Sequence, residues 1–128
     1  MSPDLKYLLF SVILTFGQML VAATGANRAV GLPTLAGNRE SLPEIRGWAG
    51  RARRAHLNMV ENMVLFAALV LIAAVGGKAN AMTAAGAAIF FWARLGYALV
   101  YLIGIPWLRT VLWFASVIGM AIIAWQLF

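Results

Sequence analysis

Charged and polar side chains lead directly into a long apolar segment in Arg51-Ala-Arg-Arg-Ala-His-Leu-Asn-Met-Val-Glu-Asn-Met-Val-Leu-Phe66. Arg54, Asn58 and Glu61 follow one another at intervals of four and three residues, so on a helix all three share one face. Seven residues of helix cover about 10 Å along the axis. If this helix crosses a bilayer, Glu61 lies in the hydrocarbon, where a carboxylate needs a partner and indicates a functional site.

The composition excludes a soluble domain. Of the 128 residues, 63% are hydrophobic and 11% are charged, whereas a soluble domain has roughly a quarter of its residues charged. A net charge of +6 would suggest nucleic-acid binding in a soluble protein. Here the basic residues flank apolar segments, as expected for loops on the cytoplasmic side of a membrane. Since the chain has no cysteine, any sulfur chemistry comes from a bound small molecule.

Four apolar blocks predict four membrane-spanning helices, at approximately residues 5–26, 48–75, 79–103 and 107–127. Each has about the 20 residues that cross a bilayer core of roughly 30 Å. We therefore expect an all-α, integral membrane four-helix bundle forming one domain over residues 1–128. Pro43-Glu44 predicts that the second helix begins ahead of the membrane. A cleaved signal peptide is a weaker interpretation of the first block, which is too long and in which Asp4 opposes Lys6.

The distribution of Lys and Arg predicts the orientation of the bundle. The first loop with its flanking turn, and the third loop with Arg109, hold most of the basic residues. We therefore expect these loops in the cytoplasm and both termini on the opposite side. The compact loops favour a bacterial inner membrane.

A second polar series lies in the third block, where Arg94, Tyr97 and Tyr101 share one helical face. Arg94 and Glu61 fall at comparable depths, so we predict that they form an ion pair. Such a pair could serve a ligand, or it could only fix the register of two helices, and the two residues alone do not decide between these interpretations.

The polar residues gather in the cytoplasmic half, and we expect the outer half to be almost purely apolar. Several arginines with one carboxylate suit a ligand that carries carboxylates and an ammonium group. His56 faces away from the Arg54–Asn58 stripe and is better explained as a snorkelling or interhelical residue than as a catalytic one. Trp113 is interpreted as an interface or packing aromatic. The set that converges comprises Arg51, Arg54, Asn58, Glu61, Arg94, Tyr97, Tyr101, Arg109 and Thr110.

Two motifs resemble those of the membrane-associated proteins in eicosanoid and glutathione metabolism, the MAPEG family. These are Arg-Arg-Ala-His-Leu-Asn-Met-Val-Glu-Asn at residues 53–62, and Ala-Arg-Leu-Gly-Tyr-Ala-Leu-Val-Tyr at residues 93–101, followed by Arg109-Thr110. Leu57 matches the microsomal glutathione transferases better than the prostaglandin E synthases. Met59 stands where an acidic residue is common in the family.

The resemblance implies a homotrimer with three glutathione sites, each between helices of neighbouring subunits. The sequence itself has no cluster of metal-binding residues, so we expect no metal. The resemblance assigns glutathione binding to Arg54, Asn58, Glu61, Tyr97 and Tyr101, with Arg94 paired to Glu61. It places Arg109 near the glutathione sulfur and Thr110 at the position of a hydroxyl residue in some members, and it adds Arg28 at the end of the first helix. Arg51 is a further candidate contact from the polar cluster. The loop before Arg109 is one residue shorter than in the prostaglandin synthases, which leaves the direction of Arg109 open.

The expected activity is that of a membrane-bound glutathione transferase. Arg109 would favour the thiolate, which attacks a lipophilic electrophile or lipid hydroperoxide dissolved in the bilayer. Two alternatives remain: a family member that binds glutathione or lipid without catalysis, and a small proton-coupled transporter that uses Glu61.

Overall fold

A computed structural model describes all 128 residues and contains helices only: α1 Pro3–Val30, α2 Leu32–Ala36, α3 Gly47–Val75, α4 Ala81–Ile103 and α5 Pro106–Gln126. Four of them, α1, α3, α4 and α5, are long and apolar enough to cross a membrane. The predicted all-α, four-span architecture is confirmed. The short helix α2 lies in the first loop and has no counterpart among the predicted helices.

The ends of α4 follow directly from local sequence. Asn80 and Thr83 form a capping box, in which the Asn80 side chain accepts from the Thr83 N–H at 2.9 Å and Thr83 Oγ1 accepts from the Asn80 N–H at 2.8 Å. The helix ends at Gly104, whose φ of 92° is left-handed and therefore favours glycine. Pro106 begins α5, where its missing N–H costs no hydrogen bond.

The predicted helix start at Pro43-Glu44 is wrong, because α3 begins at Gly47. Arg46 has extended backbone, with φ −112° and ψ 173°. Its guanidinium pairs with Glu44 at 3.0 Å, and both side chains are exposed. Ile45, which lies between these two residues in the sequence, is buried, with 7% of its surface exposed. An extended segment lets these side chains alternate between solvent and the bundle, which a helix would not.

The bundle has two chemically different ends. We call the end where α1 finishes, α3 begins and α4 turns into α5 the basic end, and the opposite end the termini end. α4 packs against α5 and α1 packs against α3, while the backbones of α1 and α5 stay apart. In the middle, the rings of Phe66 and Phe90 stack at 3.8 Å. Asp4 and Thr83 are buried near the termini end, so the expectation that this half is almost purely apolar is wrong.

Two glycines allow α4 and α5 to approach closely. A Cβ added to Gly119 would lie 2.6 Å from the carbonyl oxygen of Gly86 and 2.9 Å from the Phe90 nitrogen. Small residues at a helix crossing let the two backbones come into contact, and this close packing is one of the sources of attraction between helices in lipid.

We expect Gly119→Ala to lower the stability of the bundle. The added methyl group would meet backbone atoms that cannot move separately, at a cost of about 1–3 kcal/mol. Gly17→Ala is the matched control, since a Cβ there has nothing within 4 Å. The measurement is the thermal unfolding midpoint of each purified protein in detergent. Equal midpoints for the two variants would show that α4 and α5 are not in backbone contact at this crossing.

Candidate functional site

A hollow of about 160 Å³ opens between α3, α4 and α5 at the basic end. Four of the residues predicted to form the site line it: Asn58 from α3, Tyr97 from α4, and Arg109 and Thr110 from α5. Trp113 completes the lining. The sequence interpretation assigned Trp113 to the membrane interface or to packing, and did not use its spacing of four residues from Arg109, which places both on one face of α5.

Two tyrosines hold three arginines around this hollow. Tyr97 and Tyr101 pack edge to face, with ring centroids 5.5 Å apart. The guanidinium carbon of Arg109 lies 4.5 Å from the Tyr101 centroid, and that of Arg94 lies 4.1 Å from the Tyr97 centroid. Arg54 donates from Nε to the Tyr101 hydroxyl at 3.2 Å. Cation–π contacts and one hydrogen bond therefore hold the three arginines against the two tyrosines, and no carboxylate takes part.

The lining of the hollow favours an anionic group. Arg109 supplies a positive charge, and no acidic residue is among the lining residues. Asn58 Oδ1 accepts from Asn62 Nδ2 at 3.2 Å, so the Asn58 amide nitrogen is the group left to donate. Thr110 adds a hydroxyl group beside Arg109. Guanidinium, amide and hydroxyl donors together suit a carboxylate or a thiolate.

The predicted ion pair between Glu61 and Arg94 is not formed. Arg94 is 1% exposed, donates from Nε to Met59 Sδ at 3.3 Å, and has no partner for Nη1 or Nη2. Glu61 is exposed, and the one salt bridge of the chain joins Arg46 to Glu44. Helical geometry explains the error, because Glu61 lies two residues, or about 200°, around α3 from Met59, the residue that meets Arg94.

The remaining candidates lie outside the lining of the hollow. Arg51 donates from Nε to the Leu102 carbonyl oxygen at 3.0 Å, so it caps the last turn of α4. Arg28 is exposed in the last turn of α1. His56 is partly buried, with Nδ1 lacking a partner. The contacts of Arg28, Arg51, Glu61 and Arg94 with a ligand stay predictions.

The two sequence motifs meet at this end of the bundle. Ala55, from the motif on α3, packs against Tyr97 and Tyr101, from the motif on α4, with Trp113 of α5 beside them. The sequence model of the MAPEG family matches residues 5–128, which is nearly the whole chain.

The chain belongs to the MAPEG family. It is therefore an integral membrane protein of a family associated with glutathione and eicosanoid metabolism, whose members use glutathione and include non-catalytic proteins. Comparisons of this MAPEG protein with curated proteins and with solved structures give no significant match.

We expect Arg94→Met to leave the thermal unfolding midpoint unchanged or to raise it. Two buried nitrogens without acceptors are unfavourable, and the flexible apolar side chain of methionine removes them while filling most of the space. Arg53→Met, at an exposed position on α3, is the control. A loss of about 3 kcal/mol or more, as when one partner of a buried pair is removed, would mean that Arg94 holds an acceptor that one chain does not supply.

Proposed function

We propose that this protein is a membrane-bound glutathione transferase, which binds glutathione as its thiolate and directs it at a lipophilic electrophile or lipid hydroperoxide. The observation that carries the proposal is the hollow that Arg109 shares with Asn58, Tyr97 and Thr110, with no carboxylate in its lining. A positive, donor-rich site in a chain of this family is suited to an anionic thiol compound.

The chemistry rests on the charge of Arg109. The thiolate is the nucleophile, and a free thiol is mostly protonated at neutral pH. A guanidinium beside the sulfur favours the ionised form and lowers the pKa of the thiol, and each pKa unit corresponds to about 1.4 kcal/mol. In conjugation, the thiolate forms a carbon–sulfur bond with the electrophile, which loses its leaving group. In peroxidase turnover, two glutathione molecules become the disulfide while the hydroperoxide is reduced to an alcohol and water.

The size of the hollow supports a site completed by another subunit. Its volume of about 160 Å³ is below the range of roughly 300–1,000 Å³ that is usual for small-molecule sites. Arg54 and Glu61, which share the face of α3 with Asn58, are both exposed in the single chain. We propose that a homotrimer covers this face and that Arg28 reaches the site from a neighbouring subunit.

Within that assembly, each predicted residue has a role that fits its chemistry. Arg54 and Asn58 bind carboxylate groups of the tripeptide, Glu61 binds its ammonium group, and Tyr97 and Tyr101 form flat walls with hydroxyl groups. Arg51 and Arg94 support the site from its margins. Arg109 and Thr110 face the sulfur. We further propose that the basic end lies in the cytoplasm of a bacterium, with the bundle in the inner membrane.

We expect Arg109→Ala to raise the pKa of the thiol of bound glutathione, so less thiolate forms at neutral pH and the rate of conjugation rises only at higher pH. A shift of one unit corresponds to about a tenfold lower thiolate fraction below the pKa. Ultraviolet thiolate absorbance of the glutathione complex, titrated with pH, measures it directly. Arg46→Ala, at an exposed loop position, is the control, and an unchanged titration in Arg109→Ala would remove Arg109 from the mechanism.

The alternatives make different predictions for the purified protein. A transferase conjugates glutathione to a model electrophile, whereas a non-catalytic member binds glutathione without turnover. A proton-coupled transporter moves protons in reconstituted vesicles and loses this activity in Glu61→Gln. We expect glutathione-dependent conjugation and no proton flux, together with the mass of a trimer in native mass spectrometry. Proton flux that disappears in Glu61→Gln would favour the transporter.

A further inference from the structure

The turn between α4 and α5 connects two residues of the candidate site. Tyr101 lies in the last turn of α4 and Arg109 in the first turn of α5, and the guanidinium carbon of Arg109 lies 4.5 Å from the centre of the Tyr101 ring. Residues 104 and 105 alone separate the two helices. Because the turn is so short, its conformation decides where α5 begins, and with it the position of Arg109 beside the hollow.

The carbonyl oxygen of Leu102, just before this turn, lacks the usual helical partner. A carbonyl group in an α-helix accepts from the N–H four residues later. The residue four after Leu102 is Pro106, which has no N–H. Arg51 of α3 supplies the missing donor, with its Nε 3.0 Å from that oxygen. A cation is also favourable there, because the last carbonyl groups of a helix carry partial negative charge.

The side chain of Arg51 makes a second contact with the turn, at Gly104. A Cβ built on Gly104 would have Arg51 Nε, Cδ and Cζ as its nearest neighbours, at 3.5, 3.6 and 3.8 Å. Arg51 does not line the hollow, and it precedes Asn58 by seven residues, or about 10 Å along α3. The contacts of Arg51 are therefore with the turn and not with the hollow.

We propose that Arg51 is a positioning residue for Arg109, because its bond to Leu102 and its contact with Gly104 fix the turn from which α5 directs Arg109 towards the hollow. The proposal rests on the proposed function, in which the charge of Arg109 favours the glutathione thiolate. At an effective dielectric constant of about 20, a guanidinium that moves from about 4 Å to about 6 Å from a sulfur loses the equivalent of about one pKa unit. A small displacement of the turn is therefore enough to lower the thiolate fraction about tenfold.

Two variants separate the hydrogen bond of Arg51 from its charge. Glutamine carries an amide nitrogen where arginine carries Nε, so Arg51→Gln keeps a donor for Leu102 and removes the charge, whereas Arg51→Met removes both. The measurement is the ultraviolet thiolate absorbance of bound glutathione, titrated with pH. We expect Arg51→Met to lower the thiolate fraction at neutral pH about three- to tenfold, and Arg51→Gln to stay within about twofold of the wild-type protein.

Arg53→Met, at an exposed position of the same helix, is the control and should leave the titration unchanged. Equal losses in Arg51→Gln and Arg51→Met would show that the charge of Arg51 acts on the ligand directly, and would overturn the proposal. A wild-type titration in Arg51→Met would also overturn it. If Arg51→Met does not fold, a thiolate fraction in Arg51→Gln well below that of the wild-type protein has the same consequence.

S-methylglutathione tests whether Arg51 binds the tripeptide itself, since this compound keeps the peptide groups but has no thiol to ionise. Equilibrium dialysis against the full-length protein in detergent measures its affinity. We expect Arg51→Met to bind it within about twofold of the wild-type affinity, whereas a loss of about tenfold would make Arg51 a ligand-binding residue and overturn the positioning role.

Hydrogen exchange without glutathione tests the turn independently of the proposed function. The N–H groups of Gly104 and Ile105 donate to the Val100 carbonyl oxygen at 2.9 and 3.3 Å. We expect their exchange to be about tenfold faster in Arg51→Met and unchanged in Arg51→Gln, with residues 84–96 of α4 unaffected. Equal exchange in Arg51→Met and the wild-type protein would overturn the proposal. If the wild-type protein forms no thiolate, the transferase proposal fails, and faster exchange in Arg51→Met would still support the hold of Arg51 on the turn.

Discussion

The register of α3 against α4 is set by three contacts along one stripe of α3. Phe66 stacks on Phe90 at 3.8 Å, Met59 Sδ lies 3.3 Å from Arg94 Nε, and Ala55 packs against the two tyrosines. Spacings of four and seven residues place all three on one helical face. A slip of one turn would move α3 by about 5.4 Å along its axis. Asn58 would then no longer lie at the level of Tyr97, and the hollow would lose one of its walls.

The contacts between arginines and tyrosines decide how much positive charge remains at the candidate site. Arg94 and Arg109 are held by the faces of Tyr97 and Tyr101 instead of by carboxylates. A carboxylate partner would cancel the charge of a guanidinium, whereas an aromatic ring attracts it through its quadrupole and leaves the net charge in place. In a medium of low dielectric constant such a charge acts more strongly on a nearby anion than it would in water. Aromatic support therefore holds Arg109 in position while leaving its positive charge available to an anion.

The fold and part of the site could be predicted from the sequence, for identifiable reasons. Hydropathy and block length predict four spans because a bilayer requires long apolar helices, and helical spacing correctly places Arg54, Asn58 and Glu61 on one side of α3. Periodicity does not say which side faces α4, because lipid-facing and protein-facing residues are both apolar in a membrane protein. Arg54 and Asn58 precede the α4-contacting residues Ala55 and Met59 by one position, about 100° around the helix, and Glu61 follows Met59 by two positions, about 200°. The ion pair between Glu61 and Arg94 was predicted wrongly for this reason. Met59 contacts Arg94 instead, and an apolar methionine in the sequence does not indicate such a contact.

By contrast, the sequence does indicate which face of α1 points into the bundle. Asp4, Ser11, Gln18 and Gly25 recur every seven residues, so they share one face of the helix. Asp4 and Ser11 are 2% and 0% exposed, and each has a buried oxygen without a partner, as Gln18 does. Turning these groups inward is favourable even without partners, because polar groups facing lipid are costly and a bundle interior can admit water or a ligand. At the basic end a Cβ on Gly25 would lie 2.8 Å from that of Ala49, so on this same face α1 approaches α3 closely. The inward position of Gln18 thus follows from the rule that orients the whole helix, and its unpaired amide oxygen is a consequence of α1 facing inward along its polar side.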